Sequence, residues 1–259
     1  TNSDGAMTLD EVPVAAKRAG VDVVCITDHD RLNPTLDAPV THVEGVTLLH
    51  GIELRVDAGS CRVDLLGYGV RSTGPLAEEV DRLQRDRIER GREIAERVES
   101  RLELTLDIEF KAGIGRPHIA RAIDQSEADI TYRGAFDELI GNDGPCYVPR
   151  EVPDFDTGVE LLHESCGLVG LAHPFRYDDP QTALDLCAAL DTVERHYPYG
   201  HEVDTELLDD TIEAHDLVRT GGSDAHNNAL GAAGLDSTEY REFCGAIRLH
   251  PQMLQRLQP

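Results

Sequence analysis

The chain has 259 residues, with 49 aspartates and glutamates against 24 lysines and arginines, and a formal net charge of −25. That length suits one α/β barrel and buries enough surface to fold without a disulfide or a structural metal. The charge argues against unaided binding to DNA, to duplex RNA or to an anionic membrane, because the wrong sign would face the phosphates.

In chain order, Val21–Thr27 is a short β-branched run that ends in Asp28-His29-Asp30. Val46–Val56 and Arg62–Gly67 form a second and a third strand candidate, and Leu76–Arg101 is a long helix with an apolar stripe through Leu83, Ile88, Ile94 and Val98. Residues 111–156 break the rhythm with short helices and loops, which we expect to be a helical cap inserted in a single barrel over 1–259. Strands then alternate with helices: Thr157–Cys166 (helix), Leu168–Ala172 (strand), Thr182–Leu190 (helix), Thr192–His196 (strand), Thr205–Ala214 (helix) and Leu217–Thr220 (strand). Such alternation predicts parallel βα units.

Lys17 and Lys111 are the two lysines; the other basic residues are arginines. Lysine scarcity with so acidic a balance points to adaptation to high salt, or more plainly to an acidic cytosolic protein. The six cysteines form no CxxC and mostly sit in apolar runs, which predicts free thiols in a reducing cytoplasm. No apolar run reaches 18 residues, so a soluble, cytoplasmic chain is expected.

The chemistry-bearing residues gather at strand ends. His29 follows the first strand, Glu53 lies in the second and Asp64 in the third. His173 follows Leu168–Ala172, and Asp224 and His226 follow Leu217–Thr220. In a parallel barrel these ends converge on the face that carries active sites. A single histidine there is ordinarily structural. Several carboxylates and imidazoles together would cost several kcal/mol each unless paired or metal-bound. His, Asp and Glu together suit Zn²⁺, Mn²⁺ or Fe²⁺, and a carboxylate such as Glu53 can bridge two ions.

Eight short motifs occur in an order that resembles the PHP (polymerase and histidinol phosphatase) superfamily. They are Asn2-Ser3-Asp4-Gly5, Ile26-Thr27-Asp28-His29-Asp30, Gly51-Ile52-Glu53, Gly67-Tyr68-Gly69, Gly115-Arg116-Pro117-His118, Pro145-Cys146-Tyr147-Val148-Pro149, Ala172-His173-Pro174 and Gly221-Gly222-Ser223-Asp224-Ala225-His226. The likeness is to the branch of small nucleotide phosphatases and 5′-to-3′ exoribonucleases. It implies a distorted seven-stranded (β/α) barrel holding two or three divalent metals (Mn, Fe or Zn). By the same resemblance Asp4, His29, His226 and Asp224 would be ligands of one metal, Glu53 a bridge and His173 a ligand of the second.

Two departures stand out. The family's His-x-His at the end of its first strand would precede Thr1, so six strand candidates stand where the family has seven; trimming of the N-terminus is the expected cause, a protein lacking two ligands the alternative. Asp64 occupies the place where many relatives have a histidine; it can bind the same ion, with a preference shifted toward Mn²⁺ or Fe²⁺.

Mechanistically, metal-activated hydroxide would attack phosphorus in line. Arg116 and Arg176 are candidates to fork a terminal phosphate, or else surface ion-pair residues. His118 is read as a phosphate donor, and His201 as the acid that protonates the leaving oxygen or as a plain loop histidine. Glu53 and Asp224 complete the catalytic candidates. His42, His50, His163, His215 and His250 read as ordinary residues. Tyr132, Phe136 and Tyr147 would pack the insert or stack on a base.

The expectation is a metal-dependent phosphoesterase that removes a terminal phosphate from small nucleotides, such as 3′,5′-bisphosphates, or from short single-stranded oligoribonucleotides. Two alternatives compete: a hydrolase of a non-nucleotide phosphoester such as histidinol phosphate, and a degenerate, non-catalytic nucleotide-binding module.

Overall fold

The computed structural model describes residues 5–226 and 230–257. Asp4 therefore lies outside the described residues. The strands are β1 (Val23–Ile26), β2 (Val40–Val43), β3 (Val46–Asp57), β4 (Arg62–Tyr68), β5 (Leu168–Leu171), β6 (Thr192–His196) and β7 (Val218–Gly221). The helices are α1 (Val12–Ala19), α2 (Pro75–Leu102), α3 (Arg116–Asp124), α4 (Tyr132–Ala135), α5 (Phe155–Ser165), α6 (Pro180–Leu184), α7 (Thr205–His215), α8 (Ser237–Ala246) and α9 (Pro251–Leu257).

One seven-stranded sheet runs in the order β1-β3-β4-β5-β6-β7, with β2 paired to β3. It is mixed, which corrects the expectation of parallel units throughout. β1 is parallel to β3, and β5, β6 and β7 are parallel to one another, but β4 is antiparallel to both β3 and β5. The cause is the short turn Ala58–Cys61, which leaves no room for a crossover helix between β3 and β4. β2 is a strand that the sequence reading leaves unassigned. It joins β3 through Glu44-Gly45, both in the left-handed region with φ 50° and 82°, the geometry of a two-residue type I′ hairpin turn.

The chain forms two compact units: residues 1–80 with 152–259, and residues 81–151. In the first, β3 and β4 are buried nearly end to end. Leu49, Leu66, Tyr68, Leu168, Phe243 and Ile247 pack on one face, and Met7, Val12, Ala16, Ile26 and Leu48 form a second cluster. Burial of such side chains at roughly 1.5–3 kcal/mol each is the main force on this unit. In the second, Ile94, Val98, Ile119, Ile123, Leu139 and Ile140 form a separate core. Leu83, Ile94 and Val98, three of the four stripe residues expected of α2, are fully buried. Helix starts follow capping chemistry. Asp154 accepts from Thr157 N at α5, and Asp236 accepts from Thr238 N and Glu239 N at α8.

All six cysteines are free, and Cys146, Cys166 and Cys187 are buried. Burial pushes the Cys166 and Cys187 thiols up to about 12. Among the described residues no helix is long and apolar enough to cross a membrane.

Candidate metal and phosphate site

After β1, Asp28, His29 and Asp30 stay tied to β3 by main-chain bonds. Glu53 N donates to the Asp28 carbonyl at 3.2 Å, and Asp30 N donates to the Glu53 carbonyl at 2.8 Å. This bridge sets His29 beside Glu53, with His29 Nδ1 3.5 Å from Glu53 Oε2. β4 returns antiparallel and pairs Asp64 with Arg55, so Asp64 reaches the site from near the amino end of its strand.

His173, at the end of β5, closes the group. Its Nε2 lies 3.0 Å from Glu53 Oε1 and 3.6 Å from Asp64 Oδ2. Its main-chain N–H donates to Glu194 Oε2 at 2.8 Å. Burial pushes the Glu194 carboxyl up to about 8, against the pull of that N–H bond. Tyr177 braces the rear. Its hydroxyl accepts from Asp64 N at 2.8 Å and donates to the Ala172 carbonyl at 3.2 Å.

On β7's side, Asp224 Oδ2 accepts from Tyr197 Oη at 2.7 Å and from Arg176 Nη1 at 3.1 Å. His226 Nδ1 is 3.4 Å from Asp224 Oδ1, and the His226 and His29 rings lie 6.2 Å apart. Asp30, His173 and Asp224 hold φ of 45°, 28° and 43°, left-handed backbone that costs a non-glycine residue on the order of 1–3 kcal/mol. Three such residues at three strand ends mark a locally over-determined backbone.

A cavity of about 600 Å³ opens here, lined by His29, Glu53, His173, Glu194, Asp224 and His226 among others. The structure thus brings together His29, Glu53, His173, Asp224 and His226, with Asp64 and Arg176 in contact behind them. It does not bring His201 to the cavity wall. That ring is exposed, and its Nδ1 faces the Tyr199 carbonyl at 3.0 Å.

The donor set fits a divalent cation. His29, Glu53 and Asp64 each offer one ligand atom, all within 4.8 Å of one another. His173 Nδ1 is buried without a hydrogen-bond partner, and Glu53, Asp64 and Glu194 are at most 6% exposed. Buried carboxylates in such number need positive charge to stay ionised.

Arg116 and His118 stand in the 81–151 unit. Arg116 Nη1 donates to Asn142 Oδ1 at 2.9 Å, and its guanidinium lies over the Tyr147 and Phe136 rings at 5.4 and 5.9 Å. His118 Nδ1 accepts from Gly115 N at 3.2 Å. Arg87, Arg90, Arg116 and Arg150 crowd together. Burial pushes the Arg90 guanidinium down to about 10, and the other three arginines push it the same way. Tyr147 is the ring shared by Arg90 and Arg116, a packing role within the insert.

Sequence reasoning missed Arg55, Tyr177 and Tyr197. Arg55 could have been found by alternation, since it is two residues beyond Glu53 on the same face of one strand. The tyrosines follow two candidate strand ends, but nothing in a sequence aims their hydroxyls.

No family model matches the chain. It is 27% identical over 253 residues to the 3′,5′-nucleoside bisphosphate phosphatase of Chromobacterium violaceum, covering 92% of this chain and 88% of that protein. It is 27% identical over 194 residues to the 5′-3′ exoribonuclease Rnm of Salmonella typhimurium, covering 69% of this chain and 64% of that protein. Among solved structures, a Bifidobacterium adolescentis chain described as a metal-dependent phosphoesterase superposes with a TM-score of 0.75 at 24% identity, over 95% of this chain and 94% of that one. The fold is therefore a distorted barrel of the kind those structures share. The ordered motifs at the strand ends and the donor cluster they build are in keeping with the likeness to these relatives.

Proposed function

We propose that this protein is a metal-dependent phosphoester hydrolase that removes a terminal phosphate from small nucleotides, including 3′,5′-bisphosphates, or from short single-stranded oligoribonucleotides. The observation that carries the reading is the His29–Glu53–Asp64 donor group, with His173 against it, beside the cavity that His29, Glu53 and His173 line. The names of the relatives support the substrate class.

Asp4, His29, Glu53, Asp64, His173, Asp224 and His226 would hold two or three divalent ions, Mn, Fe or Zn. When bound, such ions supply a hydroxide nucleophile at neutral pH and offset the charge of the transition state. Glu53 would bridge two ions; that its two oxygens face different imidazoles, His29 and His173, supports this. Glu194 and Tyr177 hold the N–H and the carbonyl of the Ala172–His173 peptide, which fixes the backbone that carries the His173 ring. Arg176, together with Tyr197, orients Asp224, and its guanidinium is half exposed, so it can turn to a phosphate. His201, which does not line the cavity, is kept as the proposed acid for the leaving oxygen of a substrate long enough to extend toward it.

Arg116 and His118 are assigned to the anionic part of the substrate. The crowding of Arg90 by Arg87, Arg116 and Arg150 supports this reading. A high-salt, cytoplasmic setting is consistent with the composition.

The test is phosphate release from adenosine 3′,5′-bisphosphate, AMP, a 5′-phosphorylated RNA trimer and histidinol phosphate, with Mn²⁺ added. Turnover of the bisphosphate or the trimer at least tenfold above histidinol phosphate is expected. Preference for histidinol phosphate would replace the nucleotide assignment, and no release from any of them would leave only a binding module.

A further inference from the structure

We propose that Arg55 is a positioning residue of the metal centre: a built-in counter-cation that holds Asp64 in the metal-free protein and competes with the metal for its charge. The inference rests on the metal reading above and goes beyond it.

Asp64 is 2% exposed and bound through both oxygens by one side chain. Arg55 Nε lies 2.5 Å from Oδ1 and Nη2 2.7 Å from Oδ2, the two-pronged geometry that only a guanidinium makes. The arginine is itself fixed, because it pairs with Asp64 across the β3–β4 ladder and its N–H donates to Asp30 Oδ1 at 3.0 Å. Asp30 N in turn donates to the Glu53 carbonyl. The same main-chain frame therefore places Arg55, Asp64 and Glu53.

The fork occupies one lone pair on each Asp64 oxygen. Oδ2 still faces His173 Nε2 at 3.6 Å and remains in the donor group with His29 and Glu53. Asp64 can thus reach an ion as a one-oxygen ligand whose negative charge is already largely offset. An Asp64–Arg55 pair carries no net charge, like a neutral imidazole, which explains how a carboxylate is accommodated beside buried Glu53. It also means that a positive charge stands behind the ligand, where it opposes an incoming divalent ion.

Removing that charge should destabilise the metal-free protein and tighten metal binding at the same time. A plain structural ion pair would do the first without the second. The experiment is Mn²⁺ titration by calorimetry, with thermal melts with and without Mn²⁺, on wild type, Arg55→Met and Arg55→Lys. Arg55→Met should melt lower without metal, gain more from added Mn²⁺ than wild type does, and bind Mn²⁺ at least about tenfold tighter, given how strongly like charges a few Å apart repel at an effective dielectric near 20. Arg55→Lys keeps the charge without the fork and should stay within about threefold of wild-type affinity, which also covers the case in which Arg55→Met does not fold. Equal or weaker Mn²⁺ binding by Arg55→Met, or a large gain in Arg55→Lys, would overturn the role of Arg55. Absence of Mn²⁺ binding by wild type would instead overturn the metal reading beneath it.

Discussion

The two units of this protein handle charge in opposite ways. At the strand-end site, negative groups are buried and held by fixed bonds: Glu53 by the Asp28 and Asp30 ladder, Glu194 by His173 N, and Asp64 by the Tyr177 hydroxyl at its main chain and the Arg55 guanidinium at its carboxylate. In the 81–151 unit, positive groups crowd one another and lean on carbonyls and rings: Arg90 on the Val148 carbonyl, Arg116 on Tyr147. On the proposed function, a bound cation would offset the first arrangement and a substrate anion the second.

The sharpest way to break this contrast is Glu53→Gln. It keeps size and removes the charge proposed to bridge two ions, so metal content should fall by at least one equivalent per chain and turnover by about 10³-fold or more. Elemental analysis beside phosphate release checks both. Normal metal content would take Glu53 out of the ligand set.

His50 offers a control within the same unit, a buried imidazole that is structural. It accepts from Asn33 N at 3.1 Å and lies 3.3 Å from Ser72 Oγ. Burial holds it down to about 4. The unfolded chain, with an ordinary histidine, takes up a proton near pH 6.5. Stability from His50 is therefore complete above about pH 6.5 and is lost as pH falls toward 4, by up to about 2–3 kcal/mol. Denaturant melts between pH 7 and 4 should show His50→Gln with a flatter profile than wild type. Parallel profiles would reject the assignment.

Next in size is Arg116→Ala. Loss of one member of the guanidinium group should raise KM for a nucleotide bisphosphate by about 10–100-fold with kcat changed less than about threefold. An unchanged KM would confine Arg116 to packing. Smallest is Lys17→Ala. The pair with Glu44 spans 3.4 Å between groups 50% and 61% exposed, so the melting temperature should move by less than about 2 °C. A larger shift would mean that exposed charge carries more of this acidic fold than the buried clusters suggest.

How much of this was readable in advance depends on the range of the interaction. His29, His173 and Asp224 were legible because each follows an apolar run that fixes where the strand stops. β2 was hidden by its length of four residues, although Glu44-Gly45 between two valine-rich runs was the available hairpin signal. The antiparallel return of β4 was missed because Arg62–Tyr68 reads the same in either direction. With it went the Arg55–Asp64 pair, which exists only in that register. The guanidinium cluster gathers α2, α3 and the segment around Arg150, elements with no local sequence sign of their proximity.

The thiols described with the fold have a practical consequence for spectroscopy. With the Cys166 and Cys187 thiols held near 12, few of their molecules are thiolate at neutral pH, and buried Cys146 is shielded as well. Cys61 sits in the turn that joins β3 to β4 and is only partly covered. A maleimide fluorophore attached there would ride on the ladder that carries Arg55 opposite Asp64. With Cys25 and Cys244, which are also only partly covered, replaced by serine, its emission would offer an optical reporter of ion capture.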